Sequence, residues 1–300
     1  MRNAFIDELV GLAEVNENIV LVVGDLGFSV IEPFAKRFPK RFFNAGVAEQ
    51  NMMGLSAGLA SEGFHVFVYS IANFPTFRCA EQIRNDVDYH NLPVTVVAVG
   101  GGLAYGNLGY SHHAVQDYAL IRTMPNMLIA APGDPMEVRA CMRYLVKNPQ
   151  PSYLRLGKAG EPCIHTTVPD ISPGQWLSVR QGAAEAKTFL TTGATLELAD
   201  KVLKGNPSLK DWSLKSMPLW SMRTKATQVS QLESFSDVRT VEDHLIDGGF
   251  GSWLLEAASV KPELLARVKI NALDPKVCGM VGKQSTLNAE GGLSEANLCA

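Results

Sequence analysis

The feature that most constrains the fold of this 300-residue chain is an alternation of short apolar runs with longer amphipathic stretches. The runs of the first half are brief and rich in β-branched residues, and they cover residues 19–23, 65–69, 94–99 and 127–131. Such runs are typical of strands buried on both faces of a parallel sheet. The stretches between them have helical periodicity, at residues 2–14, 50–61, 80–89 and 135–147. We therefore expect an α/β fold with a doubly wound, mostly parallel sheet covered by helices on both faces.

A proline-containing segment divides the chain. Residues 161–181 hold Pro162, Pro169 and Pro173 with little periodicity, which is typical of a linker. Alternation then resumes, with predicted strands at 187–191 and 238–241 and predicted helices at 194–203 and after Gly251. We expect a first domain over residues 1–160, a linker over 161–181 and a smaller α/β domain over 182–300. Two domains agree with the usual size of about 100–200 residues per domain.

The composition excludes several classes of protein. With 46% hydrophobic and 19% charged residues and a net charge of −3, the chain has the balance of a globular protein without a nucleic-acid or membrane-surface bias. Its five cysteines are scattered and form no CxxC pair, which favours a reducing compartment over a disulfide framework. The first residues lack the apolar run of a signal peptide, and no segment reaches the ~18 apolar residues of a membrane span. We expect a cytoplasmic protein.

The first chemically informative feature is an acidic residue, Glu49, which opens a predicted helix after a strand at 41–43 and a turn of small residues. On position alone, the interaction of a carboxylate with the helix dipole, worth about 0.3–1 kcal/mol, accounts for it. Two aromatic residues, Phe74 and Phe77, follow the end of the next strand, although such residues are more often part of a core. Because ligands bind at the carboxyl ends of parallel strands, the acid and the aromatics together predict a site for a flat heteroaromatic ring with a basic nitrogen.

A glycine-rich loop follows the predicted strand at 94–99. Tyr105 stands where the third glycine of a GxGxxG fingerprint belongs, so the loop does not meet the dinucleotide-binding pattern. Further along, His112 and His113 precede a predicted helix. Histidines at this edge of the sheet are candidates for acid, base or hydrogen-bond donor roles near neutral pH, although a histidine pair is more often structural.

These stretches resemble one family in their order and separation. Residues 46–51 (GVAEQN), 69–94 (YSIANFPTFRCAEQIRNDVDYHNLPV) and 109–117 (GYSHHAVQD) are similar to the pyrimidine-binding domain of transketolase and deoxyxylulose-phosphate synthase. Residues 122–126 (RTMPN) and 131–137 (APGDPME) continue the match, and 241–244 (VEDH) with 248–252 (GGFGS) resembles the family's C-terminal domain. The resemblance covers residues 1–160 well and the remainder in patches. It identifies the chain as a transketolase-family member similar to the C-terminal part of the synthase.

The resemblance implies thiamine diphosphate as cofactor. Glu49 matches the family's glutamate, which bonds the far nitrogen of the aminopyrimidine ring and drives its shift to the imino tautomer. Phe74 and Phe77 match the aromatics that stack on this ring. His112 matches a substrate-contacting histidine that shuttles a proton near the reacting carbonyl, and His113 beside it is a second substrate candidate.

The match is incomplete at the substrate end. Lys158 falls near a family arginine that contacts substrate phosphate. By contrast, residues 100–102 are glycines where phosphosugar-using relatives have a basic residue, and Asn107 or Leu108 replaces an acidic residue before the histidine. The identity of donor and acceptor stays open, and so does the role of the C-terminal domain and of His244.

The family's Gly-Asp-Gly motif, which binds the diphosphate through a metal ion, does not occur in the sequence. The nearest candidate, residues 24–27 (GDLG), lacks the adjacent second glycine. We expect a separate diphosphate-binding N-terminal subunit to supply the ligands of Mg²⁺ or Ca²⁺, which prefer oxygen. Pairing of two copies of each chain predicts a heterotetramer.

The leading functional prediction is one subunit of a split transketolase that transfers a two-carbon ketol unit from a ketose to an aldose. An alternative in the same fold is the β-type subunit of a 2-oxoacid decarboxylase or dehydrogenase, or of a pyruvate-using synthase; the His112-His113 pair favours transketolase. A non-catalytic subunit that stabilises a partner is an alternative of another class. A nicotinamide-dependent oxidoreductase is disfavoured by the missing glycine fingerprint.

Overall fold

The computed structural model of the chain describes residues 1–182 and 186–299, whose strands form two sheets. The strands are β1 Ile19–Val23, β2 Phe42–Asn44, β3 His65–Ile71, β4 Val94–Val99, β5 Leu128–Ala130, β6 Ser152–Leu156, β7 Leu177–Arg180, β8 Lys187–Thr191, β9 Ser213–Ser216, β10 Leu219–Trp220, β11 Asp237–Leu245 and β12 Val268–Leu273. The helices are α1 Arg2–Val15, α2 Glu32–Arg37, α3 Glu49–Ser61, α4 Asn73–Thr76, α5 Ala80–Gln82, α6 Asp117–Ile121, α7 Pro135–Lys147, α8 Thr195–Gly205, α9 Gln228–Glu233, α10 Phe250–Ala258, α11 Pro262–Leu265, α12 Gln284–Glu290 and α13 Glu295–Cys299.

The first sheet has seven strands in the order β10-β5-β6-β4-β3-β1-β2. Every pair is parallel except β10 with β5. Alternate residues of β1 enter different cores: Val20 and Val22 pack in the cluster that contains Met52 of α3, whereas Leu21 packs in the cluster that contains Phe5 of α1. Helices thus cover both faces, which confirms the predicted doubly wound α/β fold.

The second sheet has five strands in the order β12-β11-β8-β9-β7 and is parallel except for β7. Its core includes Phe189 of β8 and Leu196 of α8. Strand β10 follows β9 of this sheet in sequence but extends the first sheet, pairing Leu219 with Ala130.

The segment 161–181 contains no helix or strand as far as Trp176, and its last residues form β7. The sequence pattern assigns this strand to the linker. Its residues are partly buried or exposed, and β7 pairs with β9 at the edge of its sheet. A half-buried edge strand lacks the continuous apolar run that marks a central parallel strand, which explains why the pattern does not reveal it.

Helix α7 begins at Pro135, where the helical periodicity at 135–147 predicts it. The Asp134 carboxylate caps this start by accepting a hydrogen bond from the Glu137 backbone N–H at 2.8 Å, and Pro135 occupies the first turn. The helix predicted at 80–89 is shorter and irregular, because α5 continues into a π-helical segment at Ile83–Asp88. Within the parts of the chain that the structure describes, no helix combines the length and the apolar character needed to cross a membrane.

The carboxyl ends of four parallel strands determine where functional side chains can meet. Strand β2 leads into α3, β3 into α4, β4 into the glycine-rich loop, and β6 into Lys158. Because these strands run in the same direction, all four connections open on one edge of the first sheet.

Candidate active site

Glu49 is the first residue of α3 and is only 2% exposed. The turn before it is fixed by Asn44, whose side-chain oxygen accepts hydrogen bonds from the backbone N–H groups of Asp25 at 3.1 Å and Gly46 at 2.9 Å. Gly46 has a φ of +72°, a conformation that favours glycine. The ends of β1 and β2 are thereby tied together, and they present a buried carboxylate at the edge of the sheet.

An arginine from the next connection reaches this carboxylate. Nη1 of Arg78 lies 2.6 Å from Oε2 of Glu49, and the Arg78 guanidinium carbon lies 5.0 Å from the centre of the Phe74 ring. A planar hydrogen-bond donor is therefore held between a carboxylate and an aromatic ring. These are the two contacts that an aminopyrimidine ring with an N–H group needs, so the site fits the ring half of thiamine diphosphate.

The histidine loop lies against the same aromatic residue. The ring centroids of Phe74 and His112 are 5.3 Å apart, in an edge-to-face arrangement. Asn73 holds the loop in place, because its amide donates hydrogen bonds to the carbonyls of Ser111 at 3.1 Å and His113 at 2.9 Å. Burial lowers the pKa of His112 below its ordinary value of 6.5, and the neighbouring His113 lowers it further. His112 is thus a neutral donor or acceptor at pH 7.

Tyr105 links His112 to the expected phosphate end. Its ring centroid lies 6.4 Å from that of His112 and 5.2 Å from Nζ of Lys158. Gly100 makes room for it: the φ of Gly100 is +83°, and an added Cβ would lie 2.1 Å from the Tyr105 ring. The series of contacts from Glu49 through Phe74 and His112 to Lys158 is therefore continuous.

A second cation lies beside Lys158. Nε of Arg2 donates to the backbone carbonyl of Lys158 at 2.6 Å. The hydroxyl of Tyr69 faces Arg2, and burial raises the pKa of Tyr69 to about 12. This end of the site can attract an anionic group, while the opposite end holds the buried Glu49.

The two other glycines of the loop leave room for the side chains of Arg155 and Asp243 to pack against the backbone. A Cβ on Gly101 would lie 2.6 Å from Nε of Arg155, and one on Gly102 would lie 2.2 Å from the carboxylate of Asp243. Arg155 in turn bonds Asp117 at 2.7 Å and Asp243 at 2.5 Å, and all three are buried. The glycine run thus allows a charge network between the two sheets to pack closely, which is a physical reason for glycines in place of a basic residue.

Two predicted site residues differ in accessibility. Phe77 is 44% exposed, and it lines a cavity of about 780 Å³ together with Asn73, Phe74 and Arg78. His113 is 1% exposed, and its Nε2 lies 3.4 Å from the carbonyl of Gly106. Burial favours a packing role for His113, whereas Phe77 remains available to a ligand.

His244 is not among the residues that line this cavity. It is fully buried, its ring stacks on that of Tyr118 at 5.3 Å, and its Nδ1 lies 2.7 Å from the carbonyl of Leu245. In residues 1–182 and 186–299, no group of three or more His, Cys, Asp or Glu side chains is placed to hold a metal ion.

The sequence alone did not single out Asn73, Arg78, Tyr105 or Arg2 as site residues. Asn73 directly precedes Phe74 and Arg78 directly follows Phe77, and a polar residue beside an aromatic that is predicted to stack on a ligand is a usable signal. The sequence marks Tyr105 only as the residue that breaks a glycine pattern. Nothing local marks Arg2, because its neighbour Lys158 is distant in sequence.

The sequence of this chain is similar to a known family model and to known proteins. Residues 1–160 match the family model described as transketolase, pyrimidine binding domain. The chain is 32% identical to one of the subunits of the apulose-4-phosphate transketolase of Phocaeicola vulgatus, over 99% of this chain and 95% of the relative. It is 34% identical to a putative transketolase C-terminal section of Methanocaldococcus jannaschii, over 96% of this chain and 90% of the relative.

A solved structure agrees. The protein described as split gene transketolase, inactive beta4 tetramer, has 30% sequence identity and a TM-score of 0.85, and the similarity covers 99% of this chain and 94% of that one. The similarity extends through both sheets, including the region where the sequence motifs were patchy. The resemblance based on the motifs is confirmed: this chain belongs to the transketolase family.

Proposed function

We propose that the chain is one subunit of a split transketolase, which transfers a two-carbon ketol unit from a ketose to an aldose with thiamine diphosphate. The observation that carries this proposal is the buried Glu49 carboxylate, which holds a planar donor group against Phe74. A buried acid in this setting can exchange a proton with a ring nitrogen, since water does not compete for its oxygen. We call the space between Glu49 and the Phe74 ring, where the Arg78 guanidinium lies, the pyrimidine seat.

Thiamine diphosphate, when bound, would supply a nucleophilic carbon for the reaction at the donor carbonyl. In the proposed reaction Glu49 holds the proton at the ring nitrogen, Phe74 orients the ring, and Phe77 closes the cavity at its rim. His112, neutral at pH 7, gives and takes a proton at the oxygen of the reacting carbonyl. Lys158 and Arg2 hold the anionic end of a sugar phosphate.

The proposal includes a partner. The diphosphate and its Mg²⁺ or Ca²⁺ ion need oxygen ligands that we assign to a separate N-terminal subunit. Relatives named as a transketolase subunit and as a transketolase C-terminal section support a divided enzyme, and the inactive beta4 tetramer supports a requirement for the second subunit. We propose a heterotetramer with two copies of each chain. We also propose that it acts in the cytoplasm, where its five free cysteines stay reduced.

The test replaces Glu49 by Gln in the complex reconstituted with the N-terminal subunit. We expect the rate of ketol transfer to fall by about 100-fold or more, because the variant cannot exchange the proton. Glu62→Gln is a matched control, since Glu62 is exposed just beyond the end of the same helix, and it should keep full activity. Full activity of Glu49→Gln would instead favour the non-catalytic, partner-stabilising subunit.

The remaining alternative within the fold is a 2-oxoacid decarboxylase or dehydrogenase subunit, or a pyruvate-using synthase. Parallel assays of the complex with ketose phosphates and with pyruvate separate it from the proposed enzyme. The name of the Phocaeicola relative makes apulose 4-phosphate a useful first donor to test. Decarboxylation without ketol transfer would overturn the proposed reaction while leaving the role of Glu49 intact.

A further inference from the structure

Arg78 makes both contacts of the pyrimidine seat at once. Its Nη1 lies 2.6 Å from Oε2 of Glu49, and its guanidinium carbon lies 5.0 Å from the centre of the Phe74 ring. A guanidinium is flat, carries N–H donors in its plane and stacks on aromatic faces. In these respects it imitates a protonated aminopyrimidine ring.

The two partners differ sharply in exposure. The Glu49 side chain is 2% exposed, whereas that of Arg78 is 49% exposed. Arg78 therefore enters the seat from the surface, and its charged end meets a carboxylate that is already out of water. A buried carboxylate without a partner is costly, so the ion pair stabilises the chain while the seat holds no ring.

The same pair is incompatible with the function proposed for the seat. Glu49 must share a proton with the ring nitrogen, whereas the Arg78 guanidinium already bonds the carboxylate oxygen Oε2 at 2.6 Å and keeps the ring nitrogen away from it. The ring and the guanidinium also need the same face of Phe74. One of them has to leave before the other can bind, and the half-exposed side chain of Arg78 has a route into solvent.

Resting on the proposed function, we infer that Arg78 is a built-in cap of the pyrimidine seat. In the subunit without cofactor it substitutes for the ring, keeps Glu49 paired and holds the seat closed. The aminopyrimidine ring binds by displacing Arg78 from both Glu49 and Phe74. Arg78 thus sets the affinity of the seat for the ring without taking part in the proton exchange itself.

The test uses the isolated full-length chain and a probe that needs no diphosphate site, 4-amino-2-methylpyrimidine. Its binding is measured by calorimetry at a pH where the free ring is uncharged. Arg78→Gln should bind the probe about tenfold more tightly than wild type, because no ion pair has to be broken. Arg37→Gln is the matched control, since it removes an exposed Arg–Glu pair on another face and should bind as wild type does.

A second measurement gives its decisive result on the wild-type chain. Arg78 is 49% exposed, so salt weakens its attraction to Glu49, and raising the ionic strength from about 0.05 to about 0.5 M should strengthen probe binding to the wild-type chain. Arg78→Gln should show no such dependence. Wild-type binding that is independent of salt would overturn the cap even if the Gln variant folded poorly.

The outcomes distinguish a failure of the proposal that Arg78 is a cap from a failure of the pyrimidine seat itself. Equal binding to wild type and Arg78→Gln, lost in Glu49→Gln, overturns the cap and leaves the seat in place. Binding that survives Glu49→Gln, or no binding to any of these chains, overturns the pyrimidine seat and the cap together. Tighter binding to Arg78→Gln that also requires Glu49 supports both.

Discussion

The imidazole of His112 stands edge-on to the ring of Phe74, with centroids 5.3 Å apart and ring planes at 74°. The two residues come from different connections, yet Asn73, directly before Phe74, bonds the carbonyls on both sides of His112. The proposed ring-binding aromatic and the proposed proton shuttle are therefore held as one unit. A change at Asn73 should affect the reaction through the position of His112.

Asn73→Ala removes both hydrogen bonds to the histidine loop. We expect kcat of the reconstituted complex to fall by about 10- to 100-fold, because small displacements of a positioned catalytic group are costly. Cofactor affinity should change little, since Glu49 and Phe74 are untouched, and measuring kcat and cofactor Kd separately checks this. Asn148→Ala loses a comparable amide–carbonyl bond at the end of α7 and should leave both constants unchanged. An unchanged kcat in Asn73→Ala would contradict the positioning role.

The pH dependence of the reaction should reflect the lowered pKa of His112, whose ordinary value is 6.5. If the neutral imidazole is the active form, kcat/KM should decline on the acid side with a midpoint below pH 6.5. His112→Asn should reduce kcat/KM by about 100-fold or more and abolish this acid-side decline. A decline that begins well above pH 6.5 in the wild-type enzyme would exclude His112 as the group responsible.

The Arg155 network should be the most sensitive polar element of the fold. Arg155→Met leaves Asp117 and Asp243 buried without their common partner, so we expect the free energy of unfolding to fall by about 3–5 kcal/mol in urea titrations. Arg143→Met breaks an ion pair with Glu8 whose arginine is 55% exposed, and it should cost less than about 1 kcal/mol. Similar losses in the two variants would show that burial of the network contributes little.

Stability should also depend on pH through Glu242. Burial raises the pKa of Glu242 from 4.5 to about 8, although the backbone N–H groups of Gly251 and Phe250 bond its oxygens and oppose the shift. An acid with a raised pKa in the folded state contributes stability that is complete below pH 4.5 and is lost as the pH rises to about 8.

The stability difference between wild type and Glu242→Gln should therefore shrink steadily over this pH range in denaturant titrations. Glutamine has one side-chain oxygen fewer to accept hydrogen bonds from the start of α10. We therefore expect Glu242→Gln to have a lower free energy of unfolding than wild type at low pH. Glu290→Gln, at an exposed position, provides the reference and should give a difference that does not vary with pH. A constant difference for Glu242→Gln would mean that Glu242 stays ionised throughout.

Much of the fold was predictable because its signals are local. The bounds of β1 and β4 follow from continuous β-branched runs, and those of α7 from helical periodicity at 135–147, so the strands and helix agree with prediction. The edge strand β7 and the strand β10 escaped prediction, because short or half-buried strands lack such a run. The family followed from the order of several motifs, and the comparisons confirm it.

The candidate site also has a part that the sequence predicts and a part that only the tertiary structure decides. The sequence by itself placed Glu49, Phe74 and His112 at one edge, since each follows a parallel strand, and their chemical roles stay predictions. Only the tertiary structure decided that Arg78 pairs with Glu49 and that His113 is buried. These outcomes depend on which side chains approach across the fold and on the balance between desolvation and pairing. Neither the approach of side chains across the fold nor this balance can be read from the residues that adjoin Arg78 or His113 in sequence.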